Sequence, residues 1–167
     1  MRNEYRQEQQ IVSQKQATRD FLRSLHKQYP IALTLTLKQS YAITNANGTY
    51  IQKLNRDEVR RIATHFRHKL NQQIFGSSAK RFGKGLRYLM VMEGERTYKN
   101  LHLHIAIGEK PDFIKWNELD TLVCNAKNKI TEIDTQHKLD IVDSGWCEYI
   151  TKELGMTDTD NVFWDLA

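Results

Sequence analysis

Cysteine and proline are both scarce in this chain, with two of each in 167 residues. Cys124 and Cys147 are too few for a disulfide framework or a cysteine-based zinc site, so two reduced, mostly buried thiols are expected. With only Pro30 and Pro111, and with no internal repeat or long linker, the body reads as continuous. No apolar run approaches the length of a bilayer span, so no membrane association is expected. Residues 1–16 are polar and rich in glutamine and lack the apolar core of a signal peptide, which points to the cytoplasm. A phosphate-binding G-x-x-x-x-G-K-[ST] pattern is also missing. Gly83-Lys84 is followed by Gly85 and has no correctly spaced glycine before it, so no recognisable ATPase is encoded.

What is present suits one globular domain spanning residues 1–167. Apolar residues make up 40% of the chain, enough to bury a core without disulfides. The formal net charge is +5 and the sequence pI about 9.2, a balance that favours polyanionic partners. The positive charge is clustered. Arg56, Arg60, Arg61, Arg67 and Lys69 form one group, which a solvated helix face explains equally well. Lys80, Arg81, Lys84 and Arg87 form a second, around Gly83 and Gly85, and are the candidate nucleic-acid contacts.

Periodicity supplies the elements. Residues 10–28 carry Ile11, Phe21, Leu22 and Leu25 among polar residues and read as an amphipathic helix ended by Tyr29-Pro30. IALTLTLK (31–38) alternates as a strand with one buried face. Residues 41–54 hold Asn45-Ala46-Asn47-Gly48 between β-formers, a hairpin pattern. Asn55 with Glu58 makes a capping box for a helix whose stripe is Val59, Ile62, Ala63, Phe66, Leu70 and Ile74, ended by Gly76. His65 and His68 on that helix read as surface histidines, since their basic neighbours repel a cation. Residues 86–93 and 101–107 read as two strands, 114–131 as a helix and 132–142 as a strand. A short helix then begins at Asp143 or Ser144, carries Trp146, Tyr149, Ile150 and Leu154, and stops at Gly155. The fold class expected is α+β, with a central antiparallel sheet flanked by helices.

Three residues on the paired strands carry chemistry. His102 and His104 lie two apart in LHLHIAI, so both imidazoles project from one face, roughly 7 Å apart along the backbone. Alone, such a pair is better explained as half-exposed strand histidines. Antiparallel pairing with Glu93 opposite His102, however, would bring a carboxylate to the same face, with opposed residues about 5 Å apart. Glu93, His102 and His104 are therefore candidate metal ligands, with Glu95 in reserve. A mixed N/O set suits Mg²⁺ or Mn²⁺, and two imidazoles tilt it toward Mn²⁺. Tyr149 and Lys152, three apart on the last helix, share a side. A tyrosine can be a nucleophile when a cation and a metal assist it.

Together these stretches resemble the HUH endonucleases, and among them the single-tyrosine initiators of rolling-circle replication in plasmids and phages. IALTLTL (31–37) is similar to the family's first motif and LHLHIAI (101–107) to its His-hydrophobic-His motif. GWCEYITKELG (145–155) is similar to the Tyr-x-x-Lys helix, and the order is that of initiators. The resemblance covers roughly residues 31–155, leaving 1–28 as an N-terminal helical extension, and implies a ferredoxin- or RRM-like core. It implies metal ligation by Glu93, His102 and His104. It also implies attack by Tyr149 on single-stranded DNA at an origin, a 5′-phosphotyrosine with a free 3′-hydroxyl, later rejoining, and assistance from Lys152. Without an ATPase, a host helicase and a polymerase would be needed, and an oligomer is compatible with a single tyrosine. An HUH transposase acting on hairpin ends and a non-catalytic origin-binding protein are the alternatives.

Overall fold

The alternation of Ile31, Leu33, Leu35 and Leu37 with smaller residues builds the strand around which the molecule is organised. In a computed structural model that describes residues 16–24, 27–94, 100–150 and 161–166 (the side chains of 144, 147 and 148 excepted), this strand is β1, Ile31–Leu37. It lies inside a four-stranded sheet with β4 (Tyr88–Glu93), β5 (His102–Ile107) and β6 (Ile133–Ile141), in the order β4-β5-β1-β6. Every neighbouring pair is antiparallel. The fold class is thus α+β, a four-stranded antiparallel sheet flanked by helices. The hairpin of β2 (Ser40–Asn45) and β3 (Gly48–Lys53) forms a separate two-stranded ribbon turning at Ala46-Asn47.

One face of the large sheet is mainly apolar. Leu33, Leu35, Met90, Leu103 and Ile105 are fully buried there. They pack against α2 (Arg56–Phe75) and α4 (Trp116–Lys127) through Phe66, Leu70, Leu119 and Val123. Each such large side chain contributes about 1.5–3 kcal/mol by leaving water. Asn55 accepts from the Glu58 N–H at 3.0 Å, and the Glu58 carboxylate accepts from the Asn55 N–H at 2.9 Å, so the capping box is complete. Glu58 also accepts from Tyr41 and Gln52, which ties the hairpin to the start of α2. Gly76, at φ 57°, ends the helix in a conformation that suits glycine.

The second face is covered as well. The helix α1 (residues 16–24) and α5 (Ser144–Ile150) bring Leu22 and Ile150 onto Leu89, Val91 and Ala106, beside Val162. The expectation of a single buried face on β1 is corrected: Ala32 and Thr36, on the opposite face from Leu33 and Leu35, are buried too, since the sheet is covered on both sides. Residues Asn161 to Phe163 run along the free edge of β4, with Met92 N–H donating to Asn161 O at 2.8 Å and Phe163 N–H to Met90 O at 2.9 Å.

Other differences are local. A six-residue helix, α3 (Ser77–Phe82), precedes the Gly83–Gly85 stretch. α4 is shorter than the 114–131 pattern, and Ile130 is buried in the turn beyond it. Cys124 is half-buried rather than buried. Ile11, Leu25, Leu154 and Gly155 lie outside the described residues. The basic face of α2 is largely engaged in tethering. Arg56 donates to Asn161, Arg60 pairs with Asp165, Arg61 with Glu132, and Arg67 donates to the Leu166 carbonyl. Among the described residues no helix is long and apolar enough to cross a membrane.

Candidate active site

The register of three strands assembles the site. β4 pairs with β5 so that Glu93 stands opposite His102 and Val91 opposite His104. β1 pairs with β5 so that Thr34 stands opposite His104 and Thr36 opposite His102. Since alternate residues share a face, Glu93, His102, His104 and Thr34 all project from the side away from α2 and α4. β6 adds Lys138, opposite Thr34, and Asp140, opposite Ala32.

Within this group the contacts are unequal. Glu93 faces His102 across the ladder, yet its carboxylate reaches diagonally to His104, with Oε2 at 2.6 Å from Nε2. The other ring nitrogen of His104, Nδ1, lies 3.0 Å from Thr34 Oγ1. His104 is 1% and Glu93 4% exposed, whereas His102 is only partly covered, its ring centroid 6.1 Å from that of His104. A buried carboxylate–imidazole pair is costly unless each polar atom finds a partner. His104 has one on each side.

Helix α5 carries the tyrosine to this floor. Asp143 caps it by accepting from the Trp146 N–H at 2.7 Å. Ile150 is buried in the second core cluster. Tyr149, next to this anchor, turns toward the sheet and sets its ring edge-on to His104, with centroids 5.4 Å apart and planes at 89°. It remains 49% exposed. The ring borders a cleft of about 420 Å³ lined by Thr34, His102, His104, Lys138, Trp146 and Tyr149. That volume lies within the range that holds small ligands. Asp140, at the rim, is hydrogen-bonded by Lys138 at 3.0 Å, which holds its carboxyl below the usual aspartate range.

Of the sequence candidates, Glu93, His102, His104 and Tyr149 are gathered in one place, while Lys152 and Glu95 lie outside the described residues. The four basic candidates are elsewhere. Lys80 and Arg81 border a hollow with Gln72, Gly76 and Lys129, at the far end of α2 on the other side of the sheet. Lys84 follows α3 and is exposed. Arg87 is committed within the molecule, donating to the Gln28 side chain at 3.1 Å and stacking over Tyr29. Thr34, Lys138 and Trp146 were not singled out beforehand. Alternation along β1 placed Thr34 on the histidine face, but only the ladder register sets it against His104.

Among the described residues no three His, Cys, Asp or Glu side chains stand grouped as a formed metal cage. The donor types nevertheless fit a divalent ion: an imidazole nitrogen and a carboxylate oxygen already meet on the cleft floor, and a second imidazole shares their face. No family model matches the chain, and neither a curated protein nor a solved structure matches it.

Proposed function

We propose that this chain is a metal-dependent endonuclease that nicks and rejoins single-stranded DNA at a replication origin, in the manner of HUH initiators, with Tyr149 as nucleophile. The observation that supports it best is the placement of an accessible tyrosine ring edge-on to a buried histidine that is itself bonded to Glu93. Tyr149 lies far from Glu93 and His104 in sequence and comes from a different element, α5.

On this reading the Tyr149 hydroxyl oxygen attacks the scissile phosphorus. The bond from phosphorus to the 3′ oxygen breaks, the 5′ phosphate stays on Tyr149, and the 3′ oxygen leaves as a hydroxyl. Glu93, His102 and His104 would hold Mn²⁺ or Mg²⁺, which supplies Lewis acidity at a phosphate oxygen. Trp146 and Lys138 border the same cleft and suit a base and a phosphate respectively. Lys152, three residues beyond Tyr149 in sequence, would assist the phenol or the phosphate. Rejoining is the reverse attack by a 3′-hydroxyl. Unwinding and extension fall to a host helicase and polymerase.

The test is adduct formation with a pool of single-stranded oligonucleotides drawn from the gene and its flanks, with Mn²⁺ or with EDTA. A covalent protein–DNA band is expected with Mn²⁺, lost with EDTA and absent in Tyr149→Phe. Tight DNA binding without any adduct would favour a non-catalytic origin-binding protein. An adduct formed only with hairpin ends would favour a transposase.

A further inference from the structure

We infer that Thr34 is a positioning residue whose hydroxyl donates to Nδ1 of His104 while Glu93 holds the ring proton on Nε2, and that the same hydroxyl, by turning to accept, is what allows His104 to change from a carboxylate partner to a metal ligand. The second half of this inference rests on the metal-site reading above; the first does not.

The bond geometry defines the problem. An ionised carboxylate only accepts hydrogen bonds. With Glu93 Oε2 at 2.6 Å from His104 Nε2, a neutral ring must carry its proton on Nε2. Nδ1 is then an acceptor, and the Thr34 hydroxyl, 3.0 Å away, must be the donor. Ligation of a cation through Nε2 needs the opposite arrangement, with the proton on Nδ1 and a partner there that accepts it. A carbonyl or carboxylate at this place would serve only the second state. A hydroxyl serves both, because it rotates from donor to acceptor without moving its oxygen.

The backbone supports this role. Thr34 stands opposite His104 on one side and Lys138 on the other, in a strand hydrogen-bonded along both edges. Its backbone is therefore held on both sides, which leaves rotation about χ1 as the one local freedom of the hydroxyl oxygen. Threonine also suits the position because its β-branched side chain is favoured in strands.

The experiment has two arms on the whole chain. Ring ¹⁵N resonances of His104 are recorded in the metal-free protein, and Mn²⁺ affinity is measured by counting free ion with EPR. The variants are Thr34→Val, which keeps the shape but removes the hydroxyl, and Thr34→Ser, which keeps the hydroxyl. Thr34→Ala serves if the valine variant does not fold.

In the wild type, Nε2 is expected to carry the proton and Nδ1 to show an accepted hydrogen bond. In Thr34→Val the hydrogen bond accepted at Nδ1 is lost while the proton stays on Nε2 beside Glu93, and in Thr34→Ser the bond is regained. Mn²⁺ affinity is expected to fall about 10- to 100-fold in Thr34→Val, the usual effect of removing a partner of a ligating histidine, and to return in Thr34→Ser. A metal-free ring with its proton on Nδ1, or a valine variant with unchanged ¹⁵N shifts and unchanged affinity, overturns the role of Thr34. A wild type with the expected ring signature but no Mn²⁺ binding overturns the metal-site reading and the ligand exchange built on it, while the proton placement stands.

Discussion

The two faces of the central sheet are made by the same strands and are almost equally buried, yet they have opposite chemistry. Ile105 is 0% exposed on one face and its neighbour His104 is 1% exposed on the other. Toward α2 and α4 the contacts are mainly apolar, with the Tyr88 hydroxyl bonded to Asn71 and His137 to Asp120 among them, so that face holds the molecule together. Toward α1 and α5 the apolar patch of Leu89, Val91 and Ala106 gives way to Glu93, His104 and Thr34. Depth of burial therefore does not separate structure from function here. Polarity separates the two faces: a carboxylate and an imidazole buried side by side are a poor way to gain stability, and their place beside an accessible tyrosine and a cleft is what supports the proposed function.

The sharpest way to break this comparison is on the apolar face. Phe66→Ala, at a residue 0% exposed, should cost about 3–5 kcal/mol in denaturant unfolding. A cost near zero would show that this face is not the main source of stability. On the polar face, Glu93→Leu alone should cost about 1–3 kcal/mol by leaving the His104 nitrogen without its carboxylate. The double variant Glu93→Leu/His104→Leu should recover most of that loss, since both partners are gone together. Neither variant should form a DNA adduct. A double variant as unstable as the single one would make the pair structural.

Smaller effects test the supports. Asn55→Ala removes the acceptor that caps α2 and should cost about 1 kcal/mol, read as a lower melting temperature, with the yield of the proposed DNA adduct unchanged. The Arg61–Glu132 pair should matter least. Burial alone would raise the Glu132 carboxyl, but the hydrogen bond from Arg61, with those from its own backbone and Thr131, outweighs it and holds the group below the usual glutamate range. A depressed folded-state value means that the stabilisation is complete above the ordinary glutamate range and disappears as pH falls through the depressed value. Arg61 is 55% exposed, so Arg61→Gln should cost less than about 1 kcal/mol at neutral pH. The gap to wild type should close under acid, as followed by melting temperature against pH.

Much of the fold was legible because local rules and global packing agree. The capping box at Asn55 and Glu58, the stripe from Val59 to Ile74 and the stop at Gly76 all stand as the sequence pattern indicates. The helix at Ser77–Phe82 was less legible, since six residues leave too little periodicity to read. Charge was the least informative signal. Arg56, Arg60, Arg61 and Arg67 look like a free basic face in sequence, yet each has a partner from a distant segment. Arg87 belongs to the same lesson: its guanidinium is held by Gln28 and Tyr29, so it is less available to nucleic acid than its sequence neighbours suggest.

By itself the sequence determined most of the strands and helices, and it determined that His102 and His104 share one side of a strand, because backbone periodicity alone decides which residues share a face. It also made Glu93 available to them through parity. Only the tertiary structure decided that Glu93 bonds diagonally to His104, that Thr34 closes the other side of that ring, and that Tyr149 lies edge-on to it. The physical reason is that these contacts depend on ladder register and on how α5 seats against the sheet, and both are fixed by pairings and packing between segments far apart in the chain.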